Sequence, residues 1–236
     1  MPRFVGPLAS AAEHAILTGD PERVPALAKE LGSITNTWSY RGYECVEVTA
    51  DGRPLLICST GIGGPSTAIV TEELARLGVR TLVRLGSCGA LQPDVEPGDI
   101  VISSGCVRDE GTSGQYLPAE FPAAPHSSIL VRLMNQAEQS GLRHHVGITH
   151  CKDAFYAEYP AGFPLEEHWR SRWKALRTAG VLATEMEASA LFAVAQVRGL
   201  RAGALFVVVN GEMPAADVIR RISDAARITQ LAMLQP

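Results

Sequence analysis

Residues 81–89 have the sequence TLVRLGSCG, and this stretch decides the fold class. Its first five positions form a short apolar run interrupted by Arg84, and glycines follow at once. A short apolar run that ends in glycines is typical of a strand buried inside a sheet. The apolar runs at 14–17 and 54–59 also end in glycine-rich segments, so we expect several such strands to end in the same way.

Predicted strands and helices alternate along the chain. Further strands are predicted at 43–48, 100–104, 146–149 and 204–209, and Asp51-Gly52 predicts a hairpin. Helices are predicted at 21–31, from the glycine-rich turn at 60–65 to about 77, and at 127–140, 166–179, 187–198 and 215–234. This alternation predicts an α/β fold with a mostly parallel sheet covered on both faces. Without an internal repeat or a linker, residues 1–236 are expected to form a single domain.

Composition excludes several classes of protein. Of 236 residues, 46% are hydrophobic and 19% are charged, with a net charge of −4, which argues against disorder and against nucleic-acid binding. An anionic ligand therefore needs a local cluster of arginines. The five cysteines form no CxxC pair and are expected to be free thiols of a reducing compartment. Without a signal peptide or an apolar run of about 20 residues, we expect a soluble cytoplasmic protein that does not contact membranes.

Three predicted strand ends carry glycines, at Gly19, 61–64 and 86–89. In open α/β sheets the ligand crevice lies at the carboxyl ends of strands, where glycine lets backbone amides approach an anion. Plain tight turns are the alternative interpretation for each loop. The G-x-G-x-x-G spacing of a dinucleotide site is absent from all three, so a Rossmann dehydrogenase is excluded.

Two arginines indicate which ligand the crevice holds. Arg23 falls in the first turn of a helix whose predicted N-cap is Asp20. Arg84 lies inside an apolar run, where a guanidinium needs a partner, either an anion in the crevice or a buried carboxylate. Guanidinium groups bind phosphate oxygens bidentately. The residues alone thus predict an oxyanion site made of Gly19, Arg23, Arg84 and Ser87.

The segment 183–188, ATEMEA, places two carboxylates around a methionine just before a predicted helix. A carboxylate beside a pocket can accept hydrogen bonds from the two vicinal hydroxyls of a ribose. Acidic residues that cap the helix are the alternative.

Four motifs together resemble the nucleoside phosphorylases in order and spacing: GDPER at 19–23, STGIGGPS at 59–66, RLGSCG at 84–89 and EME at 185–187. The resemblance runs from about Gly19 to Asn210. Within that family, EFPA at 120–123 and DAFY at 153–156 are most similar to the uridine phosphorylases. The resemblance implies a mixed, distorted central sheet flanked by helices, and homodimers or trimers of dimers.

The resemblance also implies an activity and a set of site residues. The enzyme would be a pentosyltransferase that cleaves a nucleoside to free base and ribose 1-phosphate, with inorganic phosphate as co-substrate and no cofactor. Its partners would be small molecules, a nucleoside and phosphate. The implied roles are phosphate binding by Gly19, Arg23, Arg84, Ser87 and the neighbouring subunit's copy of Arg41; ribose binding by Glu185, Met186 and Glu187; catalysis by Arg84 and Glu187; and base stacking by Phe155.

The sequence departs from the family pattern where the base would bind. The glutamine and arginine that read uracil are missing from 157–164, and Glu158 aligns with the glutamine. The purine-type aspartate is also missing at 209–212, where Asn210 stands. The base-binding candidates are therefore Phe155, Glu158 and Asn210, with a pyrimidine nucleoside as first choice.

Several alternatives stay open. A purine nucleoside phosphorylase, a nucleosidase that uses water, and a nucleoside-binding protein without strong catalysis are the rivals. Arg3 aligns loosely with a family histidine that contacts the ribose 5′-hydroxyl. The six histidines show no metal-ligand spacing, so no metal site is expected.

Overall fold

A nine-stranded mixed sheet organises the molecule, whose computed structural model describes residues 4–6, 10–211 and 213–234. In these ranges the strands are β1 His14–Thr18, β2 Ser33–Tyr40, β3 Tyr43–Ala50, β4 Arg53–Ser59, β5 Thr81–Ala90, β6 Ile100–Asp109, β7 His144–Lys152, β8 Ala183–Glu185 and β9 Arg201–Val208. The helices are α1 Arg23–Leu31, α2 Gly64–Arg76, α3 Ser127–Ser140, α4 Glu166–Thr178, α5 Ala188–Arg198 and α6 Ala215–Leu234, with 3-10 turns at Ser113–Gln115 and Phe155–Glu158.

The parallel strands β4, β1 and β5 form the centre of the sheet and bring three glycine-rich ends together. Strand β1 pairs with β4 from Ala15↔Leu56 to Thr18↔Ser59, and with β5 from His14↔Thr81 to Leu17↔Arg84. Because parallel strands share one carboxyl edge, Gly19, the loop at 60–63 and the end of β5 converge there. The predicted crevice is therefore present.

The last five strands distort the sheet by closing on themselves. Strand β5 pairs in parallel with β9 from Thr81↔Arg201 to Cys88↔Val208, and its far end pairs antiparallel with β8 at Gly89↔Thr184. Strands β7 and β6 complete the ring between β8 and β9. The closure explains why β5 continues to Ala90, beyond the predicted end at residue 85. The predicted mixed, distorted α/β sheet is confirmed.

Two apolar layers cover the two faces of the sheet. One layer packs α2 and α5 against the strands, and the other packs α1, α3 and α6. Residues 188–195 of α5 are all buried, which explains why its sequence is apolar all round. Within the described ranges, no helix combines the length and the hydropathy that crossing a membrane requires.

Most predicted elements agree with the structure, and α3 and α6 agree at both ends. The predicted N-cap of α1 was wrong: the helix begins at Arg23, and the Asp20 carboxylate instead accepts a hydrogen bond from the Glu22 N–H, 2.9 Å. Asp20 therefore stabilises the turn before the helix. Asp51-Gly52 forms the predicted hairpin turn, with φ of 50° and 74°.

Strand β2 was not predicted. Its side chains are mostly exposed, so it lacks the apolar alternation that marked the other strands. It joins β3 through a second tight turn at Arg41 and Gly42, with φ of 52° and 83°. Both central residues of this turn have positive φ, which suits a two-residue hairpin.

Candidate active site

A cavity of about 870 Å³ opens at the carboxyl edge of the sheet. On one side it is walled by the ends of β1 and β5 and by the β8–α5 junction. On the other side it is walled by the end of β7 and the 3-10 turn that follows it. Of the predicted site residues, the cavity wall includes Gly19, Arg23, Arg84, Ser87, Phe155, Glu158, Glu185, Met186, Glu187 and Asn210.

Arg84 is a deeply buried cation of the cavity, with 4% of its side chain exposed. Its Nε donates to Glu185 Oε2 at 3.0 Å, and its Nη2 pairs with Glu187 Oε2. Burial would lower the pKa of Arg84, but Glu187 and Glu185 outweigh it, and the pKa is raised above the usual arginine value. The alternative interpretation of Arg84, a pair with buried carboxylates, is thus present in the structure.

The third nitrogen of the Arg84 guanidinium has no protein partner. Nη1 is buried and donates a hydrogen bond to no acceptor among the described residues. It faces Gly19, because a Cβ added there would lie 3.8 Å from it. A buried N–H without an acceptor costs about 1–3 kcal/mol, so a ligand acceptor at this point would be stabilising.

Gly86 is required by the position of the Arg84 guanidinium. A Cβ at Gly86 would lie 2.7 Å from Nη2 and 2.9 Å from Cζ of Arg84. The guanidinium folds back over the Gly86 backbone, so only glycine leaves room for it.

Arg23 lies on the Gly19 side of the same cavity. Its Nε is 3.6 Å from Asp20 Oδ2, and 28% of its side chain is exposed. Burial lowers the pKa of Arg23, Asp20 opposes this effect, and the positive charge of Arg84 lowers it further. Two guanidinium groups that repel each other across one cavity favour an anion between them.

Glu187 closes the ribose side of the predicted site. Its Oε1 accepts from the Gly63 N–H at 2.6 Å, and the side chain is 5% exposed. Burial raises the pKa of Glu187, although Arg84 opposes the shift. Gly63 has φ of 95°, which only glycine adopts without strain, so the loop at 60–63 serves to present this N–H.

Glu185 caps α5. Its carboxylate accepts from the backbone N–H of Glu187 at 2.9 Å and of Ala188 at 2.9 and 3.0 Å, besides Arg84 Nε. The alternative interpretation of this segment, acids that cap the helix, is therefore correct for Glu185. Met186 lies between the two glutamates and lines the cavity.

The opposite wall contains a buried lysine that the sequence did not single out. Lys152 ends β7, and its side chain is 3% exposed. Its Nζ contacts Glu158 Oε1 at 2.6 Å and Thr184 Oγ1 at 3.0 Å, and lies 5.7 Å from the centre of the Phe155 ring. The predicted strand ended at residue 149, which hid that Lys152 continues the alternation of β7 into the cavity.

A chain of hydrogen bonds holds Lys152 from behind. Thr184 Oγ1 is 3.0 Å from His150 Nδ1, and His150 Nε2 is 3.0 Å from Asp109 Oδ2, which also accepts from Arg172. The hydrogen bond from His150, joined by Arg172 and opposed by burial, lowers the pKa of Asp109 to about 2. His150, one of the six histidines that show no metal-ligand spacing, is fully buried.

Asn210, Arg41 and Arg3 differ from the other predicted residues. Asn210 lines the cavity, but its Oδ1 accepts from the Ala90 N–H at 2.6 Å and its Nδ2 donates to the Ala90 carbonyl at 3.4 Å. Arg41 does not line its own chain's cavity and lies 5.1 Å from the centre of the Phe4 ring. Arg3 and Glu212 lie outside the described residues.

Cys106, Cys151 and Glu185 place potential metal-ligand atoms within 4.8 Å of one another. Burial raises the pKa of the Cys151 thiol well above its usual value, which keeps it neutral. The Glu185 carboxylate already accepts from Arg84 and from two backbone N–H groups. A metal site needs thiolates and free carboxylate oxygens, so these three residues are better suited to a structural role than to binding a metal.

Comparison with known proteins identifies the family. A sequence model described as Phosphorylase superfamily matches residues 13–233. The chain belongs to this superfamily. It is 39% identical to a uridine phosphorylase of Treponema pallidum over 89% of this chain and 81% of that protein. It is 41% identical to a guanosine phosphorylase of Halorubrum lacusprofundi over 91% and 87%, and 36% identical to the uridine phosphorylase of Escherichia coli over 91% and 88%.

These findings confirm the resemblance drawn from the four motifs. Several relatives named uridine phosphorylase match over most of their length, which agrees with the similarity of the segments at 120–123 and 153–156. The family is one of enzymes, and the expected class, the pentosyltransferases, is confirmed with it.

Proposed function

We propose that this protein is a nucleoside phosphorylase that uses inorganic phosphate to release the base and form ribose 1-phosphate. The observation that carries the proposal is the unpartnered, buried Nη1 of Arg84, which faces Gly19. The positive charges of Arg23 and Arg84 repel each other in this cavity. A phosphate dianion placed between them would satisfy the buried donor and relieve the repulsion.

Phosphate binding would involve Gly19, Arg23, Arg84 and Ser87. Glu185 and Glu187 hold two of the three Arg84 nitrogens, so the guanidinium is fixed before any ligand binds. Donors that need no reorganisation stabilise a transition state most effectively. Arg84 would therefore position the nucleophile as well as neutralise it.

Glu187 and Met186 would hold the ribose. The Glu187 carboxylate can accept from the sugar hydroxyls, and Met186 can pack under the ring. As the bond between C1′ and the base nitrogen breaks, its electron pair leaves with the base and C1′ becomes positive. A phosphate oxygen then forms the new bond to C1′. The fixed arginines hold phosphate in line, so catalysis is mainly positioning and electrostatics.

The base is proposed to be a pyrimidine, with uridine as the first substrate to test. Several similar proteins are named uridine phosphorylase, and another is named guanosine phosphorylase. Phe155 is half exposed at the cavity wall and presents an aromatic face for stacking. Asn210 is a weaker candidate than Glu158, because both of its amide atoms already bond Ala90.

Base release at varied phosphate concentration tests the proposal. We expect release from uridine to rise with phosphate and to saturate, and to be negligible in phosphate-free buffer. A screen with thymidine, cytidine, inosine and adenosine under the same conditions tests the base. Undiminished release without phosphate would replace the phosphorylase with a hydrolase, and no release from any nucleoside would favour a binding protein.

We further propose a homodimer in which Arg41 completes the partner's phosphate site. Arg41 sits at the tip of the β2–β3 hairpin and does not line its own chain's cavity, whereas the neighbouring Gly42 does. In a two-fold symmetric dimer such an exchange is reciprocal. A trimer of dimers would leave this pair unchanged.

Mixed dimers test the exchange directly. Arg41→Ala and Arg84→Ala should each be nearly inactive, but coexpressed subunits should recover roughly a quarter of wild-type activity, because half of the random dimers hold one intact site of two. Two Arg84 variants mixed together, Arg84→Ala with Arg84→Met, provide the control and should stay inactive. Activity no greater than the parents' in the Arg41/Arg84 mixture would contradict a shared site.

The five cysteines are free and buried. Free thiols persist in reducing compartments, so the cytoplasm is the location that we propose.

A further inference from the structure

We infer that Lys152 and Glu158 form the base-reading element of this site and select bases that carry a carbonyl next to a ring N–H. The inference rests on the proposed function and names the chemistry of its substrate. The sequence-based prediction named Glu158 as a base-binding candidate but did not single out Lys152.

The Lys152 ammonium lies beside Phe155 on the wall of the cavity. Nζ lies 5.7 Å from the Phe155 ring centre and 6.0 Å from the Trp173 ring, on a side chain that is 3% exposed. Glu158, on the same 3-10 turn as Phe155, contacts Nζ, so a base that binds beside Phe155 can bring a polar group of its rim towards the ammonium. A base carbonyl oxygen is the group on that rim that an ammonium attracts most strongly.

The ammonium keeps a donor for the ligand. A lysine has three N–H donors, and the structure gives Nζ two acceptors, Glu158 Oε1 and Thr184 Oγ1. Lys152 also lines the cavity, so its third N–H can donate to a ligand that binds there. Glu158 is 21% exposed at its side chain, and its other carboxylate oxygen can accept from a base N–H.

The groups behind Lys152 fix its orientation. Lys152 can only donate to Thr184 Oγ1, so the Thr184 hydroxyl donates in turn to His150 Nδ1, and His150 Nε2–H donates to Asp109. In this series of hydrogen bonds, each donor is matched to one acceptor. Thr184 and His150 are therefore positioning residues for the ammonium.

Together the pair presents one donor and one acceptor side by side. Uracil, thymine, hypoxanthine and guanine carry the matching carbonyl and N–H, whereas cytosine and adenine carry a ring nitrogen and an amino group. Both edges can pair with a donor and an acceptor, but only the first group leaves as an anion whose charge spreads onto that carbonyl oxygen. When the C1′–N bond breaks, the electron pair goes to the base, and the Lys152 ammonium stabilises it through a hydrogen bond. The positive charge of Lys152 should therefore speed release of the carbonyl bases more than release of cytosine or adenine.

Uridine and cytidine are the sharpest pair of probes, because they differ only at this edge. We expect the wild type to prefer uridine in kcat/KM by at least about 10²-fold, since a site whose polar groups lose their partners discriminates strongly. Lys152→Met should lower kcat/KM for uridine by about 10²-fold, mainly through kcat, and for cytidine by less than about 10-fold. Lys174→Met, on the exposed face of α4, is the matched control and should leave both values unchanged.

A second variant covers the case in which Lys152→Met fails to fold. Lys152→Met combined with Glu158→Gln leaves no unpaired charge, and thermal unfolding checks that it is native. Its uridine-to-cytidine ratio should fall below about 10. A ratio that stays at the wild-type value in a folded variant overturns the inference, as does a wild type that prefers cytidine. A wild type that releases no base from any nucleoside would instead refute the proposed function, so the two failures are distinguishable.

Discussion

The two walls of the cavity are built on different principles. On the side proposed to bind phosphate and ribose, Arg84, Glu185 and Glu187 are buried in a strand and at a helix start, and every contact among them is an ion pair or a backbone hydrogen bond. On the side proposed to bind the base, Phe155 and Glu158 lie on a short 3-10 turn, and Phe155 is half exposed. The first wall is fixed by the sheet itself, whereas the second depends on one buried lysine that connects a turn to the sheet.

The two walls should tolerate amino-acid substitutions to different degrees. Replacing any member of the Arg84 cluster leaves a buried charge without a partner, which is costly. On the turn at Phe155–Glu158, the exposed Phe155 and Tyr156 can change without leaving a buried charge unpaired. The chemistry common to relatives named for different bases would therefore reside on the first wall, and the choice of base on the second.

The largest effect is expected from Arg84→Ala. Loss of a fixed charged donor should lower kcat/KM by about 10²–10³-fold, or roughly 3–4 kcal/mol of transition-state stabilisation. The free energy of unfolding should also fall, by about 3–5 kcal/mol, because Glu185 and Glu187 are left buried and unpaired. Steady-state kinetics and chemical denaturation measure the two effects. Arg76→Ala, on an exposed residue of α2, is the control and should change neither.

Gly86→Ala should lower kcat/KM, because the first wall has no room for an added side-chain atom. The new Cβ would overlap the Arg84 guanidinium, which must move, and a displacement of about 1 Å can cost about 10²-fold in rate. Gly89→Ala lies on the same strand, where a Cβ would meet its nearest atoms at 3.6 and 3.8 Å, and should be tolerated. Equal kcat/KM for the two variants would contradict the role assigned to Gly86.

The smallest effect is expected from Asp109→Asn, on the support of the second wall. The folded pKa of Asp109 is lowered from 3.8 to about 2, so its stabilisation is complete above pH 4 and is lost as pH falls towards 2. At neutral pH the variant should lose about 1–2 kcal/mol of unfolding free energy, after allowance for partial exposure.

The pH dependence supplies the control for Asp109. Denaturant unfolding of wild type and variant should differ at pH 7 and converge as pH is lowered from 4 to 2, because protonation removes the same interaction in the wild type. A difference that is constant over this range would contradict the assigned cause. Arg172→Met should reproduce part of the effect, since Arg172 donates to the same carboxylate.

The sequence predicted the first wall better than the second for a physical reason. An arginine inside an apolar strand and two acids before a helix are conspicuous, because burial of charge demands partners. Lys152 follows Cys151 at a strand end where the apolar pattern has stopped, so nothing in the local pattern showed that it was buried. Strand β2 was not predicted for a related reason: its side chains are mostly exposed, so apolar and polar residues do not alternate along it.

Other features depended on tertiary pairing that no local pattern contains. The network of His150, Thr184 and Asp109 links β7, β8 and β6, which are neighbours only because the last five strands close into a ring. The same closure carries β5 past its predicted end. The one retrievable clue was the spacing of His150 and Lys152, two residues apart and thus on one face of a strand.

Isotope transfer tests whether phosphate bound at the Arg84 wall is the nucleophile. The wild type would be incubated with uridine and phosphate labelled with ¹⁸O at all four oxygens, and the sugar product examined by ³¹P NMR and mass spectrometry. We expect ribose 1-phosphate that retains ¹⁸O at the oxygen bridging C1′ and phosphorus. Free, unlabelled ribose formed at the same rate as the base would show attack by water and would contradict this expectation.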